Sequence, residues 1–316
     1  MDAAISVIIP AYNEEDNIGP LYHELEGVLD SIAQPYEILF VDDGSTDTTF
    51  QRMKTIREND TSVKVIKFRK NFGQSAALQA GFDYATGAIV VTLDADLQND
   101  PKDIPELIAK LEKENLDVVC GWRNDRQDTA SKKMFSKLAN RLRKSLTGET
   151  IHDSGCTLRA YRSECVKDLE LYGELHRYIP AILQWKGYHT GELPVNHRKR
   201  TAGQTKYTWS RLAKGFLDLI VVSFWQKYSA RPMHIFGGSG LIMGFIGLLI
   251  TGYLIVEKVL FGFGLSDRPL FLIGILLIIV GVQFVAIGLL ADIMLKVYYG
   301  QKGRKIYLIT RDSDAA

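Results

Sequence analysis

Hydrophobic positions along the first 125 residues alternate between two periods. Short β-branched runs occur at 5–10, 37–41, 63–68, 88–93 and 117–122, and each reads as a buried strand. Between them, apolar residues recur at helical spacing. Ile18, Leu21, Leu25, Val28 and Leu29 mark a helix over 14–32, and further helices are predicted at 46–56, 74–85 and 104–114. Strands separated by helices predict a parallel α/β sheet with right-handed crossovers. Beyond Trp122 the pattern is less regular. A basic amphipathic helical stretch is expected at 123–148, short helices at 166–171 and 178–186, and a strand at 188–196.

The last third of the chain has a different character. Residues 235–256 and 270–291 are each 22 residues without a charge. At 1.5 Å per residue each helix would be about 33 Å long, enough for a ~30 Å hydrocarbon core. Residues 209–228 are amphipathic and bracketed by aromatics (Trp209, Phe216, Phe224, Trp225, Tyr228). They would lie in the membrane interface, or alternatively pack on the soluble domain. The resulting division is a soluble domain at 1–205, juxtamembrane helices at 206–232 and a first span at 233–258. A loop at 259–268, a second span at 269–293 and a tail at 294–316 complete it.

Charge adds orientation. Lys227 and Arg231 precede the first span, and Lys296, Lys302, Arg304 and Lys305 follow the second. Charges in the intervening loop cancel, so the positive-inside bias puts both ends and the soluble domain in the cytoplasm of a two-span cell-membrane protein. A net charge of +1 gives no reason to expect a nucleic-acid partner. Cys120, Cys156 and Cys165 lack metal-type spacing and read as buried thiols in a reducing compartment. No signal peptide is expected, since acidic residues follow the start at once.

The tract Leu93–Asp100 carries the strongest candidate chemistry. Asp94 and Asp96 end a buried strand, and open α/β sheets bind ligands at that carboxyl edge. Two carboxylates there suit Mg²⁺ or Mn²⁺ sharing its shell with substrate phosphates, which points to a nucleotide diphosphate.

Four tracts carry a family resemblance: Pro10-Ala-Tyr-Asn-Glu14, Val41-Asp-Asp-Gly-Ser45, Asp94-Ala-Asp-Leu-Gln98 and Arg200-Thr-Ala-Gly-Gln-Thr-Lys206. In order and spacing the chain resembles the family-2 inverting glycosyltransferases that act on polyprenyl phosphates. That group includes dolichyl-phosphate mannose synthases and undecaprenyl-phosphate glucosyl- and aminoarabinosyl-type transferases. The resemblance implies a Rossmann-like nucleotide-diphospho-sugar transferase domain of the GT-A type, with interfacial helices and two transmembrane helices.

It also implies residue roles. Pro10, Tyr12 and Glu14 would line the base and ribose pocket, with Asp43 on the base. Asp42 is a ligand or a cap for the next helix. Asp94, Asp96 and Gln98 match the metal and diphosphate positions, with Ala95 between the carboxylates. Arg200 and Lys206 match a basic loop that stabilises the leaving diphosphate. Arg198 and Lys199 suit anionic headgroups. Arg123 would bind the acceptor phosphate; Arg126 does the same or sits in a solvated turn. Asp153 matches an aspartate that acts as a base elsewhere in the family. With a phosphate acceptor it either does so or orients substrate. Lys70 and Asn71 match a family pattern without an assigned role.

The donor is a UDP-sugar by a slight tilt, such as UDP-glucose or UDP-N-acetylglucosamine, with GDP-mannose as the rival. A Ser-Gly-Cys-Thr-Leu-Arg-Ala tract (Ser154–Ala160) carries that tilt, and no Gln-x-x-Arg-Trp tract of processive polymerases is present. A non-catalytic scaffold is the reading from another class, and a homo-oligomer is left open.

Overall fold

The computed structural model describes residues 3–123, 151–167, 169–198, 232–262, 264–265 and 268–299. The chain divides into two compact units, Met1–Ser223 and Phe224–Ala316.

The first unit is built on a seven-stranded sheet. In chain order its strands are β1 (Ile5–Ala11), β2 (Tyr36–Asp42), β3 (Val63–Lys67), β4 (Ile89–Thr92), β5 (Val118–Trp122), β6 (Arg159–Arg162) and β7 (Thr190–Pro194). Their spatial order is β3-β2-β1-β4-β6-β5-β7. The pairs β1–β2, β1–β4, β2–β3 and β5–β7 are parallel, whereas β6 is antiparallel to both β4 and β5. The parallel direction expected of the first five strands holds, and a strand the alternating pattern did not predict, β6, inserts antiparallel between β4 and β5. Its sequence, Arg-Ala-Tyr-Arg, has no apolar run to announce it.

Helices α1 (Glu15–Ile32), α2 (Thr49–Asn59), α3 (Gln74–Tyr84), α4 (Ile104–Lys113), α5 (Ser163–Lys167) and α6 (Ile179–Trp185) cover the sheet. Alternate residues of β1 go to opposite faces. Ile5, Val7 and Ile9 join Leu21 and Leu25 of α1 and Leu107 of α4, while Ile8 joins Leu78 and Phe82 of α3. A strand apolar on both faces is the mark of a sheet buried between two helical layers. The helix expected at 46–56 begins three residues later, because the turn after β2 consumes 43–48. The helix expected at 166–171 is Ser163–Lys167 instead. All three cysteines are buried, and none is in a disulfide among the described residues.

The described part of the second unit is a pair of helices, α7 (Pro232–Phe261) and α8 (Pro269–Tyr299). Both are long and apolar enough to cross a bilayer. A Cβ on Gly240 would stand 2.5 Å from the Gly281 carbonyl, so the two backbones touch where neither has a side chain. Glu257 and Arg268 pair across the connecting turn. The amphipathic helix expected at 209–228 and the basic stretch expected at 124–148 lie outside the described residues.

Candidate active site

The carboxyl ends of β1, β2, β4 and β5 bring the candidate residues to one edge. Pro10 lies two places past Thr92's partner Ile8, the last β1 residue in register with β4, so its missing N–H breaks no ladder bond there. The loops following β1 and β2 are laced together. Asn13 N–H donates to Ser45 Oγ at 3.0 Å, Thr46 N–H to Asn13 Oδ1 at 2.9 Å, and Glu14 N–H to Thr49 Oγ1 at 2.9 Å. Tyr12 is half-buried in this lacing, and the Glu14 carboxylate accepts from Asn17 Nδ2 at 2.6 Å.

The paired aspartates after β2 divide their work. Asp42 accepts the Ser45 N–H at 3.0 Å, closing the turn that precedes α2 rather than capping that helix, whose N-cap is Thr48. Its other carboxylate oxygen is buried and has no hydrogen-bond partner among the described residues. Asp43 accepts the N–H groups of Phe72 at 2.7 Å and Gly73 at 2.9 Å. Burial raises the Asp43 pKa and these two donors pull it back. Gly44 adopts φ +72°, and a Cβ there would meet the Lys70 carbonyl carbon at 2.3 Å, so only glycine fits. Lys70 and Asn71 thus belong to a loop that Asp43 and Gly44 hold against the β2 end.

Asp94 and Asp96 follow β4. Gln74 Nε2, at the first position of α3, donates to Asp94 Oδ1 at 2.7 Å, and the Thr157 hydroxyl also bonds this carboxylate. Burial, then the neighbouring charge of Asp96, push the Asp94 pKa up to about 6, against the pull of Thr157, Arg123 and Arg159. Asp96 accepts the Gln98 N–H at 3.2 Å, and Ala95 is buried between the two carboxylates. Leu97 sits at φ +60°, an uncommon conformation for a branched side chain.

Arg123 follows β5 and forks onto Asp153, with Nε–Oδ2 at 2.7 Å and Nη2–Oδ1 at 2.9 Å. Burial alone would lower the Arg123 pKa; the Asp153 contact outweighs it and the net direction is up. Glu192 of β7 accepts the Asp153 N–H at 3.3 Å and bonds His152 Nδ1 at 2.7 Å, and the His152 ring stacks on Trp122 at 4.7 Å.

Three contributors escaped the sequence reading: Gln74, Thr157 and Arg159. Arg159 is 3% exposed and its guanidinium bonds the carbonyls of Ser154 and His176. Its charge reaches Asp94, so two buried cations back the carboxylate pair. The signal was an arginine inside the otherwise apolar alternation Leu158–Tyr161. Arg126, Arg200 and Lys206 lie outside the described residues. Arg198 is described and is not a free headgroup cation: it pairs with Glu24 and Asp100, each at 2.7 Å.

The glycosyl transferase family 2 model matches residues 6–170, the span that supplies β1 to β6 and both aspartate sites. The chain belongs to glycosyl transferase family 2. As a glycosyltransferase it is 38% identical over 314 residues to a dodecaprenyl-phosphate galacturonate synthase of Rhizobium johnstonii, covering 98% of this chain and 93% of that protein. It is 35% identical over 309 residues to an undecaprenyl-phosphate 4-deoxy-4-formamido-L-arabinose transferase of Enterobacter sp., covering 97% and 93%. These relatives are polyprenyl-phosphate glycosyltransferases. The fold matches the GT-A architecture of Mycobacterium tuberculosis glucosyl-3-phosphoglycerate synthase, solved with Mn²⁺, uridine diphosphate and glucosyl-3-phosphoglycerate. The TM-score is 0.54 at 19% identity, over 71% of this chain and 80% of that one. Two apolar helices in a glycosyltransferase whose relatives are named for prenyl phosphates point to a membrane protein.

Proposed function

We propose that this glycosyltransferase moves a sugar, with inversion, from a nucleotide diphosphate sugar to a polyprenyl phosphate at the cytoplasmic membrane face. A UDP-sugar is the favoured donor. The observation that carries the reading is the Asp94–Asp96 pair at the carboxyl end of β4, with Asp94 raised to about 6 by burial and by its neighbour. Two carboxylates that repel one another are stabilised by a cation between them, so the residues fit Mg²⁺ or Mn²⁺. Among the described residues no third His, Cys, Asp or Glu converges on the pair, which suits a shell completed by Gln98 and donor phosphates. When bound, the ion supplies charge neutralisation at the diphosphate.

The chain's own groups divide the remaining tasks. Pro10, Tyr12, Glu14 and Asp43 hold the base and ribose. Arg123, and Arg126 with it, receive the acceptor phosphate, whose oxygen attacks the anomeric carbon. The bond from that carbon to the diphosphate oxygen breaks, and Arg200 and Lys206 stabilise the negative charge that develops there. Asp153 orients Arg123 and need not remove a proton, because a phosphate is already ionised at neutral pH. The soluble domain at 1–205, the juxtamembrane segment at 206–232 and the spans at 233–258 and 269–293 anchor this chemistry beside the lipid, with 259–268 outside and 294–316 inside.

The test is release of nucleoside diphosphate from a panel of UDP-sugars and GDP-mannose, with and without undecaprenyl or dolichyl phosphate, in Mn²⁺ and in chelator. Lipid-stimulated, metal-dependent release of UDP is expected. Release from GDP-mannose alone would reverse the donor assignment, and no release from any donor would favour a scaffold. A parallel comparison of thermal stabilisation by UDP and GDP reads donor choice without turnover.

A further inference from the structure

We propose that Arg198 is a positioning residue for the diphosphate-binding tract, acting on Asp96 and Gln98 through the backbone without touching substrate. The inference rests on the donor-site reading above and assigns that site a support outside the motifs.

The tract between Asp94 and Asp100 is short, turns sharply and carries its own strain. Leu97, between the two ligand candidates Asp96 and Gln98, holds φ +60°. A branched residue keeps such a conformation only when its surroundings over-determine it. Within the tract, the Asp96 carboxylate accepts the Gln98 N–H and Asn99 Nδ2 donates to Thr157 Oγ1 at 3.0 Å. The remaining constraint comes from the chain that follows β7. His197 bridges Asn99 in antiparallel register, and the Arg198 N–H donates to the Gln98 carbonyl at 2.8 Å.

The side chain of Arg198 completes the hold. Its Nη2 reaches Asp100 Oδ1 at 2.7 Å and its Nη1 reaches Glu24 Oε2 of α1 at 2.7 Å. One residue therefore ties the Gln98 carbonyl, the Asp100 carboxylate and a helix of the scaffold together. Arginine suits this geometry, since its planar fork engages two carboxylates in fixed directions, whereas lysine is a point charge. Both carboxylates are committed to the same guanidinium, so Arg198 is a strut of the donor site and not a lipid-facing cation. A surface ion pair by itself would matter little. This one matters because the tract it fixes must present its carboxylates within a fraction of an ångström of the productive geometry.

The experiment measures Mn²⁺-dependent UDP binding by calorimetry on the full chain in detergent, alongside steady-state KM values for donor and lipid. Arg198→Ala should weaken UDP binding by at least about tenfold, from loss of two charge-assisted hydrogen bonds that hold the tract, and leave the lipid KM near the parent value. Arg198→Lys should recover part of the loss. Glu24→Gln, on α1 and remote from the motifs, should shift UDP affinity in the same direction by less. Asp96→Ala serves as the control for the donor site itself; if it bound UDP with Mn²⁺ like the parent, that reading would fail and this one with it. With the control behaving, parental UDP affinity in Arg198→Ala overturns the assignment, as does a defect confined to the lipid KM. A lowered melting temperature with unchanged UDP affinity would equally reduce Arg198 to a structural contact.

Discussion

Arg123 and Asp153 form a bidentate pair, 2.7 Å and 2.9 Å across, at the carboxyl end of β5. Both side chains are largely buried. Both carboxylate oxygens of Asp153 are engaged by the guanidinium. The same grip engages Nε and Nη2 of Arg123. The pair thereby favours orientation over proton abstraction as the task of Asp153.

Turnover should accordingly survive Asp153→Asn with a reduced rate, whereas a true general base would lose nearly all of it. Arg123→Ala should raise the KM for polyprenyl phosphate far more than for the nucleotide sugar. It also strands a buried carboxylate, which typically costs about 3–5 kcal/mol of stability. The double variant Arg123→Ala with Asp153→Ala should melt higher than Arg123→Ala alone. A donor-side kinetic defect in Arg123→Ala would remove the acceptor assignment.

Loss of a metal ligand should be visible without loss of fold. Asp96→Ala should lower turnover by orders of magnitude and EDTA should do the same to the parent, with Mn²⁺ or Mg²⁺ restoring only the parent. Full activity of folded Asp96→Ala in chelator would end the metal role. In the leaving-group loop, one well-placed cation is worth roughly 2–4 kcal/mol in a transition state. Arg200→Ala should therefore lower kcat by about 10²–10³-fold.

The pH dependence follows from Asp94, raised from 3.8 to about 6. In the metal-free native protein this carboxyl keeps a proton that the unfolded chain has released. Native stability should then fall as pH rises through that window, the reverse of a salt-bridged aspartate. A divalent ion must displace the same proton, so its affinity should drop as pH falls below about 6, by up to about tenfold per unit. Mn²⁺ titrations at pH 5 and 7, followed by electron paramagnetic resonance, would read this directly. Equal affinities at the two values would contradict the assigned shift.

Strands β1 to β5 were legible because each carries a short run rich in β-branched or other apolar residues between helical segments, and the Asp94–Asp96 pair was legible because it follows one of them. Strand β6 was hidden by Arg159, whose charge is buried against backbone carbonyls instead of solvent, a solution that no residue-by-residue polarity rule anticipates. The partners Arg123 and Asp153 lie 30 residues apart, and Arg198 and Glu24 lie 174 apart. Such contacts belong to topology, not to local spacing. Arg198 therefore read as one more basic residue in the run His197–Arg200 until the fold set it beside two carboxylates. Asp42 was open between cap and ligand for a similar reason: the turn after β2 moved the helix start beyond its reach.

The anchor gives the last prediction. Residues 235–256 and 270–291 lack charge, and α7 and α8 contain them in full. Cations flank the pair on the outer sides of the two helices, at Lys227, Arg231, Lys302, Arg304 and Lys305, while Glu257 and Arg268 neutralise each other in the connection. The positive-inside bias predicts that both flanks lie on the cytoplasmic side. A cysteine introduced at 264 or 265 should label with a membrane-impermeant maleimide in intact cells. A cysteine added after residue 316 should label only once the membrane is permeabilised. The native Cys120, Cys156 and Cys165 are buried and contribute little background. Protection of the 264–265 site in intact cells would break the two-span hairpin. Labelling of the C-terminus from outside would invert it, and would carry the soluble domain to the wrong side of the membrane for a cytoplasmic nucleotide sugar.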